Sequence, residues 1–379
     1  MSSQEELAML TDAERIPQEQ RMENAAAQIY AIQKGLEQGK RRGKRLFVAK
    51  STMVVLVAAV MGIGLLFFNP SQFLPQQAAP SVTVTDWEVL ESFKKLTAID
   101  IDGLTIESAI RNDYMQIVNK SAEQDGYKVT VNAVTADENR LILLYTVSTT
   151  NGQEVYSVSS TKLTDAVTGR NLDSGENGSG SMGAHSEGTL YEWLGKRVMA
   201  IDRNSPFPNQ IIADFTIASV DTGRLGAPNR GDISAADINY SKHLKVNFTI
   251  DPKFWEQKTE TVVLNYPFTI DGNQVTISEV ELSPLIIIVK YTFPEETKND
   301  WELRNSLFTK VTDGKLYSYS DYEKVELTSN SAHGTEDGVV RYFSSNILDH
   351  PTSIRLMLDG VSDREEDTFI EITNSRTRK

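Results

Sequence analysis

The chain has 379 residues, a net charge of −14 at pH 7 and no cysteine. Without cysteine there is no disulfide framework, no thiolate metal site and no cysteine nucleophile. Residues 1–50 carry a small positive excess, so the rest is more acidic still, and such a surface argues against nucleic acid as a direct partner.

In chain order, the first feature is an amphipathic stripe. Met22, Ala25, Ile29, Ile32 and Leu36 recur at spacings of 3, 4, 3 and 4, which places them on one face of an α-helix. Pro17 suits its first turn and the Gly-Lys run from Gly39 weakens its end. A lone helix of this length is marginal in water, so the stripe is expected to dock. A partner protein, self-pairing and a membrane-hugging tail are the alternatives.

Next comes a basic cluster, Lys40, Arg41, Arg42, Lys44, Arg45 and Lys50, followed by 18 charge-free residues, Ser51–Phe68. At ~1.5 Å per residue these reach about 27 Å, close to the ~30 Å hydrocarbon core of a bilayer. A secretory signal would put its charges near residue 1 and use a shorter apolar core with a small-x-small cleavage site, whereas "QQAAP" (Gln76–Pro80) places Gln where a small residue is wanted. A buried core helix is the other alternative to an uncleaved anchor. Basic residues stay on the cytoplasmic side, so the expected orientation has the amino terminus inside and about 310 residues outside.

The segment Asn69–Thr83, with its prolines and no charge, has linker composition. Short helices are expected from about Asp86 (Trp87, Leu90, Phe93) and near Ile106–Val118 (Ile106, Ile110, Tyr114, Ile117).

Beyond Gly126 alternating β-branched runs take over, and the sequence repeats itself. Gly126–Val147 aligns without a gap on Gly272–Phe293, 146 residues on, with seven identities: Gly126/Gly272, Val129/Val275, Thr130/Thr276, Val134/Val280, Ile142/Ile288, Tyr145/Tyr291 and Thr146/Thr292. Each copy reads as a hairpin whose second strand is the more continuously apolar. Weaker echoes follow: "VTGR" (Val167–Arg170) with "VTDGK" (Val311–Lys315), and "PNQI" (Pro208–Ile211) with "PTSI" (Pro351–Ile354), each Pro opening a final strand. Residues 221–265 either connect the copies or complete one sheet, and Asp173–Gly188 reads as a flexible loop.

The expected fold is therefore mainly β: a single transmembrane helix with two extracytoplasmic immunoglobulin-like β-sandwich domains and a short cytoplasmic helix. The expected division is 1–45 cytoplasmic, 46–68 the span and its flank, 69–84 linker, 85–235 first ectodomain and 236–379 second β-sandwich domain. The four histidines (His185, His243, His333, His350) are too scattered for a metal motif, and Ser92–Lys95 and Ser159–Lys162 lack the companions of a serine–lysine site. "DIDG" (Asp100–Gly103) has the acidic spacing of a calcium loop's start but not its later ligands. No cofactor, metal or catalytic residue is expected.

Ala109–Val147 resembles the membrane-anchored ectodomain family called domain of unknown function 4179, and Tyr266–Phe293 looks like the immunoglobulin-like domain that often follows it. The proline, amphipathic helix and "GL-x-x-G" before a basic cluster in Ile16–Arg45 are similar to that family's juxtamembrane pattern. Many such proteins are described as anti-sigma factors. The resemblance thus implies a sigma factor held through residues 16–45, with Met22, Ala25, Ile29, Ile32 and Leu36 as the contact face. The other function class considered is an envelope-anchored adhesion or scaffold protein.

Overall fold

The computed structural model describes residues 86–174, 179–226, 233–270, 272–321, 323–358 and 368–374, all in one compact unit. The stripe Met22–Leu36, the charge-free Ser51–Phe68 and the linker lie outside the described residues. Among the described residues no helix is long and apolar enough to cross a membrane.

The described chain is mainly β, in four sheets. A lead-in of two short helices, α1 (Glu91–Thr97) and α2 (Gly103–Arg111), precedes the strands. Leu90, Phe93 and Leu96, then Ile106, Ala109 and Ile110, are buried at helical spacing, as the pattern predicts. The second helix is shorter than expected. It stops where Asp113 takes a left-handed backbone (φ 55°), so Ile117 falls in a strand instead of on the helix.

The first half contains β1 (Gln116–Gln124), β2 (Tyr127–Ala136), β3 (Arg140–Thr149), β4 (Gln153–Asp165), β5 (Gly180–His185), β6 (Glu192–Ala200), β7 (Gln210–Asp221), β8 (Asn239–Tyr240) and β9 (Leu244–Thr249). One sheet runs β1-β2-β3-β6-β5; the other runs β4-β7-β8, with β9 also on β7. The two share a core in which Tyr145 of β3 meets Phe215 of β7 at 5.0 Å between ring centroids. The expected loop Asp173–Gly188 instead supplies an edge strand. Its small residues let β5 lie against β6, and a Cβ on Gly183 would come within 2.2 Å of the Trp193 indole nitrogen. Strands β8 and β9 lie past residue 235, where the sequence reading set the boundary. Both pair with β7, so residues 239–249 complete the first half's second sheet.

The second half repeats the plan with β10 (Glu260–Ile270), β11 (Asn273–Leu282), β12 (Ile287–Thr292), α3 (Trp301–Asp313), β13 (Lys315–Tyr319), β14 (Lys324–Leu327), β15 (Ser329–Gly334), β16 (Gly338–Phe343), β17 (Ser353–Leu358) and β18 (Thr368–Asn374). Its sheets are β10-β11-β12-β16-β15 and β14-β13-β17-β18. Proline 208 and Pro351 precede β7 and β17, which hold matching places beside β4 and β13. The echo of "VTGR" in "VTDGK" does not hold: the first forms a turn after β4, the second ends α3. Strand β18, beyond the expected last strand, completes the second sheet.

The repeat extends to backbone irregularities. In β1, Val118 and Asn119 bulge between the Ile117–Ala133 and Lys120–Val131 pairs; in β10, Leu264 and Asn265 bulge between Val263–Glu279 and Tyr266–Ile277. Both asparagines have φ 46°, a left-handed conformation that Asn tolerates better than a branched residue. Toward the next strand, β2 bulges between Val131 and Ala133 and β11 between Ile277 and Glu279. All four irregularities stand at matching positions of the 146-residue offset.

Candidate functional site at the junction of the two halves

Side chains alternate across β3. Tyr145 points to the first half's core, so Arg140, Ile142 and Leu144 face the other way, under the lead-in helices. Lys196, opposite Leu144 on β6, shares that face. Arg140 and Lys196 are thereby buried cations beneath the α1–α2 turn, and "DIDG" is that turn. Arg140 Nη1 lies 3.0 Å from Asp102 Oδ1, and Lys196 Nζ lies 2.5 Å from both Asp102 Oδ2 and Asp100 Oδ2. Asn330 of β15 donates its amide to Asp102 Oδ1 at 2.6 Å. The acidic pair is the anionic half of a buried network of two carboxylates and two cations. Burial opposes ionisation of Asp102, but Lys196 and Arg140 outweigh it and hold its carboxyl below the usual aspartate value. One aspartate thus ties the lead-in, the first half and the second half together.

The hairpin turns of the two repeats meet beside this network. Asp137, fully buried, closes the β2–β3 turn by accepting from the Asn139 and Arg140 amides at 2.8 Å. Its other oxygen accepts from Ser283 Oγ at 2.8 Å and the Leu285 amide at 2.9 Å, in the β11–β12 turn. Burial pushes this carboxyl above its usual range, against four donated hydrogen bonds that favour the ion. Ser283 is the position equivalent to Asp137, so the halves touch through matching turns. Further ties run from the lead-in: the Ser345 amide donates to Thr105 Oγ1 at 2.8 Å, and Arg111 and Asn112 reach Asp349 at 2.7 and 2.6 Å.

A cleft of about 260 Å³ opens alongside, between Arg140 and residues 201–204 of the first half and the outward face of β12 and β16, where Ile288 and Tyr342 form its wall. In the first half the matching sheet face is roofed by α1 and α2; the second half has no counterpart of these helices among the described residues. Arg203 reaches across to pair with Glu281, which also takes Lys290 Nζ at 2.6 Å. Burial works against the Glu281 anion, yet Lys290 and Arg203 hold its carboxyl below the usual value. Donors and acceptors here are paired with each other, and the arrangement clamps the two halves. Among the described residues no group of three or more His, Asp and Glu side chains is placed to hold a metal ion.

Residues 44–149 match the family described as Domain of unknown function (DUF4179). The DUF4179 match begins in the basic cluster, runs through Ser51–Phe68 and the lead-in, and ends on the last residue of β3. It therefore contains Asp100, Asp102, Asp137 and Arg140, but neither Lys196 nor the second half. No curated protein matches the chain. Among solved structures, the conserved domain protein from Bacillus anthracis is similar at 14% identity, covering 69% of this chain and 93% of that one, with a TM-score of 0.41.

The sequence singled out Asp100 and Asp102 by their spacing and set them beside calcium chemistry; the structure gives them lysine and arginine partners. Arg140, Lys196, Asn330 and Asp137 were not singled out. A charged residue in or at the start of an apolar strand run, as Lys196 and Arg140 are, was the available signal.

Proposed function

We propose that the chain is a single-pass membrane regulator of the anti-sigma-factor type. In this reading the helix Met22–Leu36 holds a sigma factor in the cytoplasm, and the two halves, as immunoglobulin-like β-sandwiches, sense the envelope outside. The observation that carries it is the placement of the lead-in. The first described element after the proposed anchor segment and linker is built into both halves through Asp102, so a displacement of either half would act on the segment next to the membrane. The DUF4179 match, which spans the proposed anchor segment and the first hairpin without interruption, supports the same continuity. This reading assigns the protein no catalytic step.

The test is Ile29→Asp with Ile32→Asp in the full-length chain. Charges on the centre of the stripe are expected to abolish co-purification of a sigma factor while leaving membrane insertion intact. Undiminished capture by the double variant would overturn the assignment. If no sigma factor is held by the wild type, and deleting residues 1–38 leaves transcription unchanged, the scaffold alternative is the one to keep.

A further inference from the structure

Lys196 is placed for more than an ion pair. Its amine nitrogen lies 2.5 Å from Asp100 Oδ2 and 2.5 Å from Asp102 Oδ2, and all three side chains are 3–4% exposed. Asp100 Oδ1 accepts from the Asp102 backbone amide at 3.2 Å, which leaves Oδ2 facing the lysine. Asp102 has other partners, Arg140 Nη1 at 3.0 Å and the Asn330 amide at 2.6 Å. Among the described residues Asp100 has no cation besides Lys196.

A buried amine and a buried carboxyl at this distance are potential reactants. Proton transfer within the pair turns two desolvated ions into a neutral amine and a neutral acid, the forms that burial favours. With Oδ2 at 2.5 Å, Cγ lies one bond further, near the ~3–3.5 Å at which bond formation starts, and groups fixed in that way react as if at ~10⁵–10⁸ M. Exclusion of bulk water removes the excess that drives hydrolysis in solution.

We propose that Lys196 and Asp100 join in an intramolecular amide, with Asp102 as the proton relay. A first proton passes from Nζ to Asp100 Oδ2. The freed lone pair attacks Cγ and forms the C–N bond, while the carbonyl pair moves to Oδ1, where the Asp102 backbone N–H meets the developing charge. Asp102 Oδ2 takes a second proton from Nζ and hands it to Asp100 Oδ2. The pair on Oδ1 re-forms the carbonyl as the Cγ–Oδ2 bond breaks, and that oxygen leaves as water. Nothing is oxidised or reduced, no co-reactant is consumed, and Asp102 ends as it began.

Charge selects between the two aspartates. A bond to Asp100 leaves Asp102 with Arg140 and Asn330, one anion against one cation. A bond to Asp102 would leave Arg140 buried without a carboxylate in contact. The product fastens the lead-in covalently to β6 and keeps the Asp102–Asn330 hydrogen bond as a releasable tie to the second half.

The test is intact mass and peptide mapping of the full-length chain purified in detergent. The expected result is a mass one water below that of the sequence, and one branched peptide joining the Asp100 segment to the Lys196 segment, uncut by trypsin at Lys196. Lys196→Arg, which keeps the charge without the amine, and Asp102→Asn, which removes the relay, are each expected to give two separate peptides. Separate peptides from the wild type overturn the proposal even if a water is missing, because a succinimide at Asp102–Gly103 loses one too. A branched peptide formed with loss of ammonia puts the bond on Asn330 and also overturns it. An undiminished branched peptide in Asp102→Asn overturns Asp102 as the relay. The wild-type map decides by itself if a variant fails to fold. Sigma-factor capture is a separate readout, so either proposal can fail alone.

Discussion

The buried network at the α1–α2 turn makes a demanding prediction when Asp102 is replaced by Ala. The side chain is 4% exposed and accepts from three donors belonging to β3, β6 and β15. Its removal leaves Lys196 with Asp100 alone and takes from the buried Arg140 its carboxylate partner. Breaking a buried ion pair by deleting one partner costs ~3–5 kcal/mol, because the survivor stays desolvated without its counter-charge. Asn330→Ala removes one hydrogen bond to a charged acceptor from the same site, at ~1.5–3 kcal/mol. Replacing both members of one pair, Asp102→Leu with Arg140→Met, leaves Lys196 with Asp100 at 2.5 Å and should recover much of the loss, since apolar substitutes of similar volume often match a buried pair. Urea unfolding of the full-length chain in micelles, followed by Trp fluorescence from Trp87, Trp193 and Trp255 in the lead-in and first half and Trp301 in the second, reads these differences. It also reads whether the halves then melt in separate steps. If Asp102→Ala unfolds within ~0.5 kcal/mol of the wild type, the range for ordinary surface changes, the network does not hold the junction.

The acid side of the stability profile should depend on the same residue. Asp102 has a lowered carboxyl value, so its contribution is complete above the unfolded value of ~3.9 and is lost as pH falls through the folded one. The gap between wild type and Asp102→Ala should therefore close below about pH 4, and a gap that is flat with pH would refute this. Asp137 is raised, so its burial penalty fades on acidification and opposes that trend. Asp137→Ala orphans four donors at neutral pH and should cost ~3–5 kcal/mol by the same unfolding assay. At the matching bulges, Asn119→Val and Asn265→Val should each cost ~1–2 kcal/mol for a branched residue at φ 46°, while the Gly substitutions are tolerated; indifference to Val would show that the bulges relax. Gly338→Ala should be poorly tolerated, because its Cβ would fall 1.9 Å from the Tyr291 carbonyl oxygen, and soluble, correctly folded protein from that variant would contradict the close approach of β16 to β12.

Local features of the fold were legible where one strand or helix carries its own signal. The two hairpins could be read because alternation and seven identities lie within 22 residues, and the lead-in helices because Leu90, Phe93, Ile106 and Ile110 recur at helical spacing. Strand β1 was lost to the helix before it: Ile117 continues the spacing of Ile106, Ile110 and Tyr114, and only the left-handed turn at Asp113 breaks the register. Helix α3 was missed for a different reason. Only Leu307 and Val311 of its thirteen residues are buried, so its apolar stripe is too thin to stand out from a loop. Strand β5, "GSMGAH", has no run of apolar or β-branched side chains to betray it, and Gly183 serves the close approach of Trp193.

The junction was illegible because its chemistry is distributed. Asp102, Arg140, Lys196 and Asn330 come from four elements spread over more than half the chain, and no short motif can express that spacing. What the sequence did contain was a local anomaly: the charge Arg140 opening the apolar run "RLILLYTV" and the pair Lys196–Arg197 inside "WLGKRVMA", in strands whose sheet is covered on both faces. Two buried cations on adjacent strands of one face cannot stand without anions, and "DIDG" is one of the acidic pairs that precede them on the amphipathic lead-in. The same logic explains why the junction is a better candidate for transmission than the open cleft beside it. Its charges are sealed from water, so they hold one geometry or lose several kcal/mol at once, and an all-or-none contact of that kind is what a coupled change between the halves and the lead-in requires.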